Sequence, residues 1–217
     1  HPLYSAMLAV CRYRPKNRMK QKLVFIAVEI TPRVSAWLIL MMPVSPKILY
    51  TFRRCPYAMR ARLALVVAGI NVELREINLR DKANEFLACS PKGTVPVLVF
   101  SDGSVLDESV DIVNYICSSI QGATLCLSPS VDTEFEALYA KFMDTFLPAL
   151  YRYKYPNRYV EVDVAVEQAK IKTFMDSLEH FLQHTSLLQN ALNKYDVILF
   201  PFVRQVSIVD QSWFDVS

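Results

Sequence analysis

Cys55 is the residue in this 217-residue chain that is best placed to carry out chemistry. The apolar run 48–52 before it predicts a buried strand, and apolar residues spaced three or four apart after it predict a helix. Cys55 therefore lies where a strand passes into a helix, with Pro56 in the first helical turn, where proline is favoured. A thiol in that position faces backbone N–H groups and the positive end of the helix dipole, which favour the thiolate. We therefore expect the pKa of Cys55 to be depressed, with Arg53 and Arg54 adding to the effect.

The residue three positions after Cys55 is Ala58, which has no thiol. A dithiol cycle within this motif is therefore impossible, whereas a monothiol cycle, in which a second thiol from solution releases the bound group, remains open. The alternative role for Cys55 is that of a small buried apolar residue, which is common for cysteine. The chain has five cysteines without C-x-x-C or metal-type spacing, and this odd count suits a reducing compartment.

The elements that must position Cys55 fall into two groups along the chain. After residue 46 the pattern predicts seven elements: a strand at 48–52, a helix at 57–68, a strand at 72–77, a short helix at 83–88, strands at 97–100 and 105–106, and a helix at 109–120. From residue 131 onward the signals are helical only. This order predicts an α/β plus all-α chain, with a sheet domain at 46–121, a linker at 122–130 and a helical domain at 131–217.

Residues 1–45 are expected to be an extension outside the core. The first 46 residues hold seven basic and one acidic side chain, a net charge of +6, and the other 171 hold 17 basic and 20 acidic, a net charge of −3. The globular part is therefore mildly acidic, which argues against a nucleic-acid-binding domain. No apolar stretch reaches the roughly 18–20 residues that cross a bilayer. We expect residues 1–40 to be dispensable for folding, and a targeting segment is the alternative interpretation.

Three other patterns favour a structural interpretation. His180 and His184 have a spacing that could bind a metal, but no third ligand is apparent, so no metal is predicted. Residues 151–159 interleave basic and aromatic side chains, as single-strand binders do, although a connection between two helices is favoured. Asn193 and Asp196 predict a capping box at a helix start in the helical domain.

Three motifs together resemble those of the glutathione transferase superfamily: Cys55-Pro56-Tyr57-Ala58, Lys92-Gly93-Thr94-Val95-Pro96-Val97-Leu98 and Asp107-Glu108-Ser109. The resemblance covers residues 46–214 and is strongest to cysteine-type members, namely the omega-like transferases and the glutaredoxin-2-like proteins. It implies a thioredoxin-like glutathione-binding domain followed by a helical domain. Members of the family normally continue for about one more helix after Phe214, so the resemblance also admits a truncated chain.

The resemblance implies that glutathione is the co-substrate and that no metal is needed. Glu108 would pair with the γ-glutamyl amine, and Ser109 with the first N–H groups of its helix would hold the γ-glutamyl carboxylate. An ordinary helix start is the alternative reading of this motif, because acidic residues and serine are favoured there in any case. The backbone of Tyr57 would lie beside the ligand thiol.

Two further parts of the implied site lie between these motifs. In the family the proline at the position of Pro96 is cis, which exposes the backbone of Val95 to the peptide groups of glutathione. A strand that opens on proline is the alternative interpretation. Lys82 matches a lysine placed near the glycyl carboxylate, and a solvated surface lysine is its alternative.

The function implied is that of a glutathione-dependent thiol transferase or reductase with Cys55 as nucleophile in a monothiol mechanism. The alternatives are a glutathione-conjugating transferase and a non-catalytic binding module with the same fold. The implied partner is a small-molecule electrophile or a glutathione mixed disulfide, and a homodimer is allowed. We expect a cytoplasmic protein without a nucleic-acid partner or a membrane span.

Overall fold

The computed structural model describes residues 48–119, 125, 129–185 and 192–216. They belong to two units, which divide between Ala123 and Thr124. The expected extension at 1–45 and most of the expected linker at 122–130 lie outside the described residues, so the domain boundaries stay predictions.

The first unit is built on a four-stranded mixed sheet. Its strands are β1 (Ile48–Thr51), β2 (Glu73–Glu76), β3 (Val97–Val99) and β4 (Val105–Leu106), in the spatial order β2-β1-β3-β4. Strand β1 pairs in parallel with β2 and antiparallel with β3, and β3 pairs antiparallel with β4. Strand β1 has a neighbour on each side, and its Leu49, which pairs with Leu74 and Leu98, is fully buried.

Three helices accompany this sheet: α1 (Pro56–Val67), α2 (Asn84–Cys89) and α3 (Ser109–Ser118). Helix α1 connects the parallel strands β1 and β2, as a parallel pair requires, and it packs against α3. Leu63 of α1 and Ile112 and Ile116 of α3 are buried. The seven elements predicted for this part of the chain are therefore present, and the thioredoxin-like sheet domain is confirmed.

The second unit is helical throughout its described residues. It contains α4 (Pro129–Lys141), a π-helical segment (Phe142–Phe146), α5 (Leu147–Lys154), a 3-10 turn (Pro156–Arg158), α6 (Val164–Thr185), α7 (Lys194–Val209) and α8 (Gln211–Val216). Its centre is aromatic: the ring of Phe142 lies 5.4 Å from that of Phe146 and 5.1 Å from that of Phe202. The prediction of an all-helical second half is confirmed for these ranges.

The start of α7 carries the predicted capping box. The side-chain oxygen of Asn193 accepts hydrogen bonds from the backbone N–H groups of Tyr195 (2.9 Å) and Asp196 (3.2 Å). The Asp196 carboxylate accepts one in return from the backbone N–H of Asn193, at 3.0 Å. Both side chains are buried, so this polar exchange satisfies helix-end groups that water does not reach.

Residues 151–154 form the last turn of α5 and residues 155–159 begin its connection to α6, so the segment lies at a helix connection, as the favoured interpretation predicted. Their cations stack on tyrosines of the same segment: Arg158 lies 4.2 Å from the ring centroid of Tyr155, and Arg152 lies 5.4 Å from that of Tyr159. Arg152 also forms an ion pair at 3.1 Å with the buried carboxylate of Glu167 in α6. These contacts give the basic and aromatic side chains a structural role in the helix connection.

None of the helices in the described ranges combines the length and the apolar character needed to cross a bilayer.

Candidate functional site

Cys55 is held at the junction between β1 and α1. Its backbone is extended, with φ −76° and ψ 120°, and it is the N-cap residue of α1. Its N–H donates to the carbonyl of Phe52 at 3.0 Å, and its carbonyl accepts from the N–H of Met59 at 3.0 Å. Pro56 then begins the helix in the position that suits its missing N–H. The thiol is therefore fixed from both sides by backbone hydrogen bonds.

The thiol of Cys55 faces the loop that precedes β3. Its sulfur lies 3.7 Å from the carbonyl oxygen of Val95, to which it donates a long hydrogen bond. The Val95–Pro96 peptide bond is cis, as the resemblance implied. The structure therefore brings three of the predicted site residues, Cys55, Val95 and Pro96, into one cluster.

The expected depression of the Cys55 pKa is wrong for this structure. Burial of the half-buried thiol raises its pKa, because a thiolate loses its hydration there. The backbone N–H groups of Ala58 and Tyr57 and the charges of Arg62 and Arg60 lower the pKa, but by less. Helix start and positive charge thus act in the expected direction, and desolvation outweighs them.

The cations that act on Cys55 are not the adjacent Arg53 and Arg54, whose side chains are exposed. Arg62, seven residues after Cys55 and so on the same side of the helix, reaches back to the turn before it. Its guanidinium donates to the carbonyls of Phe52 (3.3 Å) and Arg53 (3.0 Å) and contacts the hydroxyl of Thr51. Sequence reasoning missed this residue, although the helical spacing could have indicated it.

Glu108 and Ser109 stand at the start of α3, as predicted. Glu108 is the N-cap residue, and its carbonyl accepts from the N–H of Ile112 at 3.0 Å. The side chain of Glu108 makes no capping hydrogen bond to the first N–H groups of the helix. The exposed carboxylate of Glu108 forms an ion pair with Lys92 at 2.9 Å, and Lys92 lies 3.2 Å from Asp107. The contact with Lys92 was not predicted.

Lys82 lies with the glycine of the second motif. A Cβ atom built on Gly93 would stand 2.9 Å from the Lys82 ammonium nitrogen, and Gly93 has a φ of +62°. Only glycine combines that backbone conformation with such a close approach. The half-buried Lys82 therefore lies against the turn that leads into Val95.

A buried arginine that sequence reasoning overlooked joins α1 to α3. Arg60 is 1% exposed, and its Nη1 atom donates to the hydroxyl oxygen of Ser109 at 3.3 Å. Its guanidinium carbon lies 5.4 Å from the ring centroid of Tyr57. A charged side chain is almost never fully buried without a partner, so a basic residue among the apolar positions of α1 was the available signal.

The described residues contain no group of three or more His, Cys, Asp and Glu side chains that could hold a metal ion. The side chain of His184, which has the i, i+4 spacing to His180, lies outside the described residues.

Comparison with known families gives one match in the first unit. A family model described as the N-terminal domain of glutathione S-transferase matches residues 49–123. This range includes Cys55, the Val95–Pro96 bond and the start of α3, and therefore the whole candidate site.

Comparison with individual proteins extends the similarity into the second unit. Glutathione S-transferase omega-1 of Sus scrofa is 25% identical over 164 residues, which make up 74% of this chain and 67% of the pig protein. Glutathione S-transferase omega-1 of Mus musculus is 40% identical over 67 residues, 31% of this chain and 28% of the mouse protein. The stretch of 40% identity thus spans less than a third of the mouse protein.

Solved structures share the fold. The crystal structure of glutathione transferase Omega 3C from Trametes versicolor superposes with a TM-score of 0.64 at 20% identity, over 76% of this chain and 75% of the fungal chain. This likeness extends over three quarters of the chain, and it bears on the fold alone.

Proposed function

Since this chain belongs to the glutathione transferase superfamily, we propose that it is a glutathione-dependent thiol transferase with Cys55 as its nucleophile. The observation that carries the proposal is the position of the thiol at the start of α1, 3.7 Å from the carbonyl of Val95. A hydroxyl in that position would activate glutathione for addition to an electrophile, whereas a thiol can itself exchange with a disulfide.

The side chains around the thiol fit the groups that glutathione offers. The carboxylate of Glu108 suits the γ-glutamyl amine, and the hydroxyl of Ser109 with the first N–H groups of α3 suits the γ-glutamyl carboxylate. The backbone of Val95 suits the peptide groups, and the ammonium of Lys82 beside Gly93 suits the glycyl carboxylate. Charge and hydrogen-bonding capacity thus match from one end of the tripeptide to the other.

The reaction proceeds in two exchanges. The thiolate of Cys55 attacks the glutathione sulfur of a mixed disulfide, the bond to the second sulfur breaks, and that sulfur leaves as a thiolate that takes up a proton. Glutathione is then joined to Cys55. A second glutathione thiolate attacks the bound glutathione sulfur, which releases oxidised glutathione and restores the Cys55 thiolate. In sum, one glutathione and one mixed disulfide give one thiol and one oxidised glutathione.

Ala58 favours this route over a dithiol cycle, and Arg62 supports the second exchange. Ala58, at the third position after Cys55, supplies no thiol to resolve the intermediate, so the resolving thiol must come from solution. Arg62 fixes the turn before Cys55 and places a positive charge near the thiolate that departs in the second exchange. We propose a cytoplasmic location, because the cycle consumes reduced glutathione.

The test compares two reactions of the purified chain and its retention on glutathione-agarose. We expect retention, glutathione-dependent reduction of a small glutathione mixed disulfide, and much slower conjugation of an aryl halide. Conjugation without disulfide reduction would instead indicate a conjugating transferase. Retention without either reaction would indicate a binding module, and both results would contradict the proposal.

Alanine at Glu108 or Ser109 is expected to raise the KM for glutathione about tenfold, because each substitution removes a contact to a charged group of the ligand. The value of kcat should change much less, since both residues bind the end of glutathione that is remote from its sulfur. Steady-state kinetics with varied glutathione measure the split. An unchanged KM in both variants would contradict the assigned binding site.

Methionine at Lys92 is expected to lower the KM for glutathione by up to about fivefold. The Lys92 ammonium lies 2.9 Å from the Glu108 carboxylate, where the ligand amine would have to bind, so the two cations compete. The gain is modest because water screens an exposed ion pair, which therefore contributes little. Lys172→Met is the control, because it removes an equal charge from an exposed pair with Asp176 in the second unit. A rise in KM for Lys92→Met would show that Lys92 assists binding.

A further inference from the structure

Arg60 is a buried cation at the contact between α1 and α3. Arg60 is 1% exposed and stays charged at all physiological pH values. Burying such a charge is costly unless hydrogen bonds and negative charge compensate for it. Its Nη1 atom donates to the hydroxyl of Ser109 at 3.3 Å, and Ser109 is itself only 3% exposed. The guanidinium therefore lies directly behind the start of α3.

We propose that Arg60 is a positioning residue for glutathione, which orients the Ser109 hydroxyl and places a positive charge behind the γ-glutamyl carboxylate. The inference rests on the binding site given in the proposed function. It does not depend on which reaction the bound glutathione then undergoes.

The orientation of the hydroxyl follows from the donors and acceptors involved. A guanidinium has only donors, so Ser109 must accept the hydrogen bond from Arg60 through a lone pair of its oxygen. The single hydroxyl hydrogen of Ser109 is then directed away from Arg60. A ligand carboxylate at the start of α3 has only acceptors to offer, and this hydrogen is the group that it needs. Arg60 thus keeps Ser109 in its donating orientation.

The charge of Arg60 acts at the same place. The first N–H groups of α3 and the helix dipole already favour an anion there. A buried cation adds to that field with little screening, because salt and water do not reach it.

Arg60 also belongs to the part of the site that holds the sulfur. It follows Cys55 by five residues in the same turn-and-helix segment, and its guanidinium packs over the ring of Tyr57 at 5.4 Å. Its charge is one of those that lower the pKa of Cys55 against the larger effect of burial. One side chain therefore contacts residues at both ends of the proposed glutathione site.

A double-mutant cycle on glutathione binding tests the inference. The dissociation constant of glutathione is measured by calorimetry for the wild type, Arg60→Met, Ser109→Ala and the double variant. We expect Arg60→Met to weaken binding roughly tenfold or more, and to weaken it much less when Ser109 is already alanine. Arg60→Lys should recover part of the affinity, because it keeps the charge and one donor. Arg80→Met, which removes an exposed arginine of the same unit, should leave the affinity unchanged.

Two results would overturn the inference: Arg60→Met binds glutathione as tightly as the wild type, or its effect is the same with and without the Ser109 hydroxyl. If the methionine variant does not fold, the same cycle is measured with Arg60→Lys, which retains a buried cation. Calorimetry measures binding and needs no turnover. A chain that binds glutathione but does not reduce the mixed disulfide would therefore contradict the proposed reaction, and the double-mutant cycle would still test the role of Arg60.

Discussion

Replacing Cys55 with serine is expected to reduce kcat/KM for the glutathione mixed disulfide by at least about a thousandfold. A hydroxyl is not ionised near neutral pH and does not exchange with a disulfide, so neither step of the cycle can proceed. Retention on glutathione-agarose should persist, because the proposed contacts to the ligand come from Val95, Lys82, Glu108 and Ser109. Coupled assays of oxidised glutathione measure the loss.

Cys89→Ser is the matched control for this change. Cys89 is another half-buried thiol of the same unit, at the end of α2, and it packs beside the core residues Tyr50 and Phe86. Its replacement should leave the activity unchanged. An active Cys55→Ser variant would show that another group supplies the nucleophile and would contradict the mechanism.

The pH dependence of the same thiol follows from its burial. Because burial raises the pKa of Cys55, its rate of alkylation by iodoacetamide should climb with pH and reach its midpoint above about 8.5, the value for an unperturbed cysteine. Mass spectrometry of the peptide that contains Cys55 separates its reaction from that of the other cysteines. A midpoint below that value would mean that the N–H groups of Tyr57 and Ala58, with Arg60 and Arg62, outweigh desolvation.

A raised pKa is compatible with the proposed exchange chemistry. The thiolate fraction of Cys55 at neutral pH is smaller than in a protein where the helix start dominates. Each thiolate is in return a stronger nucleophile, because nucleophilicity rises with thiol pKa. The activity should accordingly increase from neutral to alkaline pH rather than level off below pH 7.

Patterns that are local in sequence predicted the elements around the site. The apolar run of β1 and the three- to four-residue spacing of α1 placed Cys55 at a strand-to-helix junction, and both elements are observed there. The capping box of Asn193 and Asp196 could likewise be predicted from the sequence, because its two hydrogen bonds join residues three positions apart. In each case the pattern that predicts the element lies within a short segment of the sequence.

The electrostatics of the site could not be predicted in the same way. Arg53 and Arg54 adjoin Cys55 in sequence, yet it is Arg60 and Arg62 whose charges act on the thiol, because the helix turns them toward it. The burial of Cys55 depends on the loop of Val95, 40 positions away in sequence. Desolvation is a property of such distant contacts, so no reading of the segment around Cys55 alone could give the direction of its pKa.

Contacts between motifs were missed for the same reason. The second and third motifs were recognised separately, but the ion pair of Lys92 with Glu108 joins residues 16 positions apart. The hydrogen bond of Arg60 to Ser109 joins residues 49 positions apart. Each motif can be recognised from its own few residues, whereas these contacts join one motif to another or to a residue outside it.

In the wild type, we expect Asp196 to destabilise the second unit increasingly as the pH rises. The substitution Asp196→Asn is expected to remove this destabilisation. Burial raises the pKa of the Asp196 carboxyl from 3.8 to about 6, and the hydrogen bond from the backbone N–H of Asn193 offsets only part of this. Below pH 3.8 the folded and unfolded chains both carry the proton. Between that value and about 6 the unfolded chain loses its proton while the folded chain keeps it, so the stability falls as the pH rises and is constant above.

The size of this effect follows from the shift of about two pKa units, which corresponds to about 3 kcal/mol in full, most of it between pH 4 and pH 7. Asp196→Asn keeps an oxygen that can accept from the N–H of Asn193 but carries no charge. The free energy of unfolding of the variant, minus that of the wild type, should therefore increase by up to that amount over this pH range. Urea titrations followed by the fluorescence of Trp213 in α8, with Trp37 replaced by phenylalanine in every variant, report on the same unit.

Asn193→Ala separates this titration from the loss of the cap itself. It removes the oxygen that accepts from the N–H groups of Tyr195 and Asp196, at a cost of about 0.5–2 kcal/mol, but leaves the Asp196 carboxyl in place. The free energy of unfolding of Asn193→Ala, minus that of the wild type, should therefore vary little with pH. The same difference for Asp196→Asn should increase as the pH rises. A difference for Asp196→Asn that stays constant from pH 4 to pH 7 would show that the attraction of the ionised carboxylate to the start of α7 cancels its desolvation.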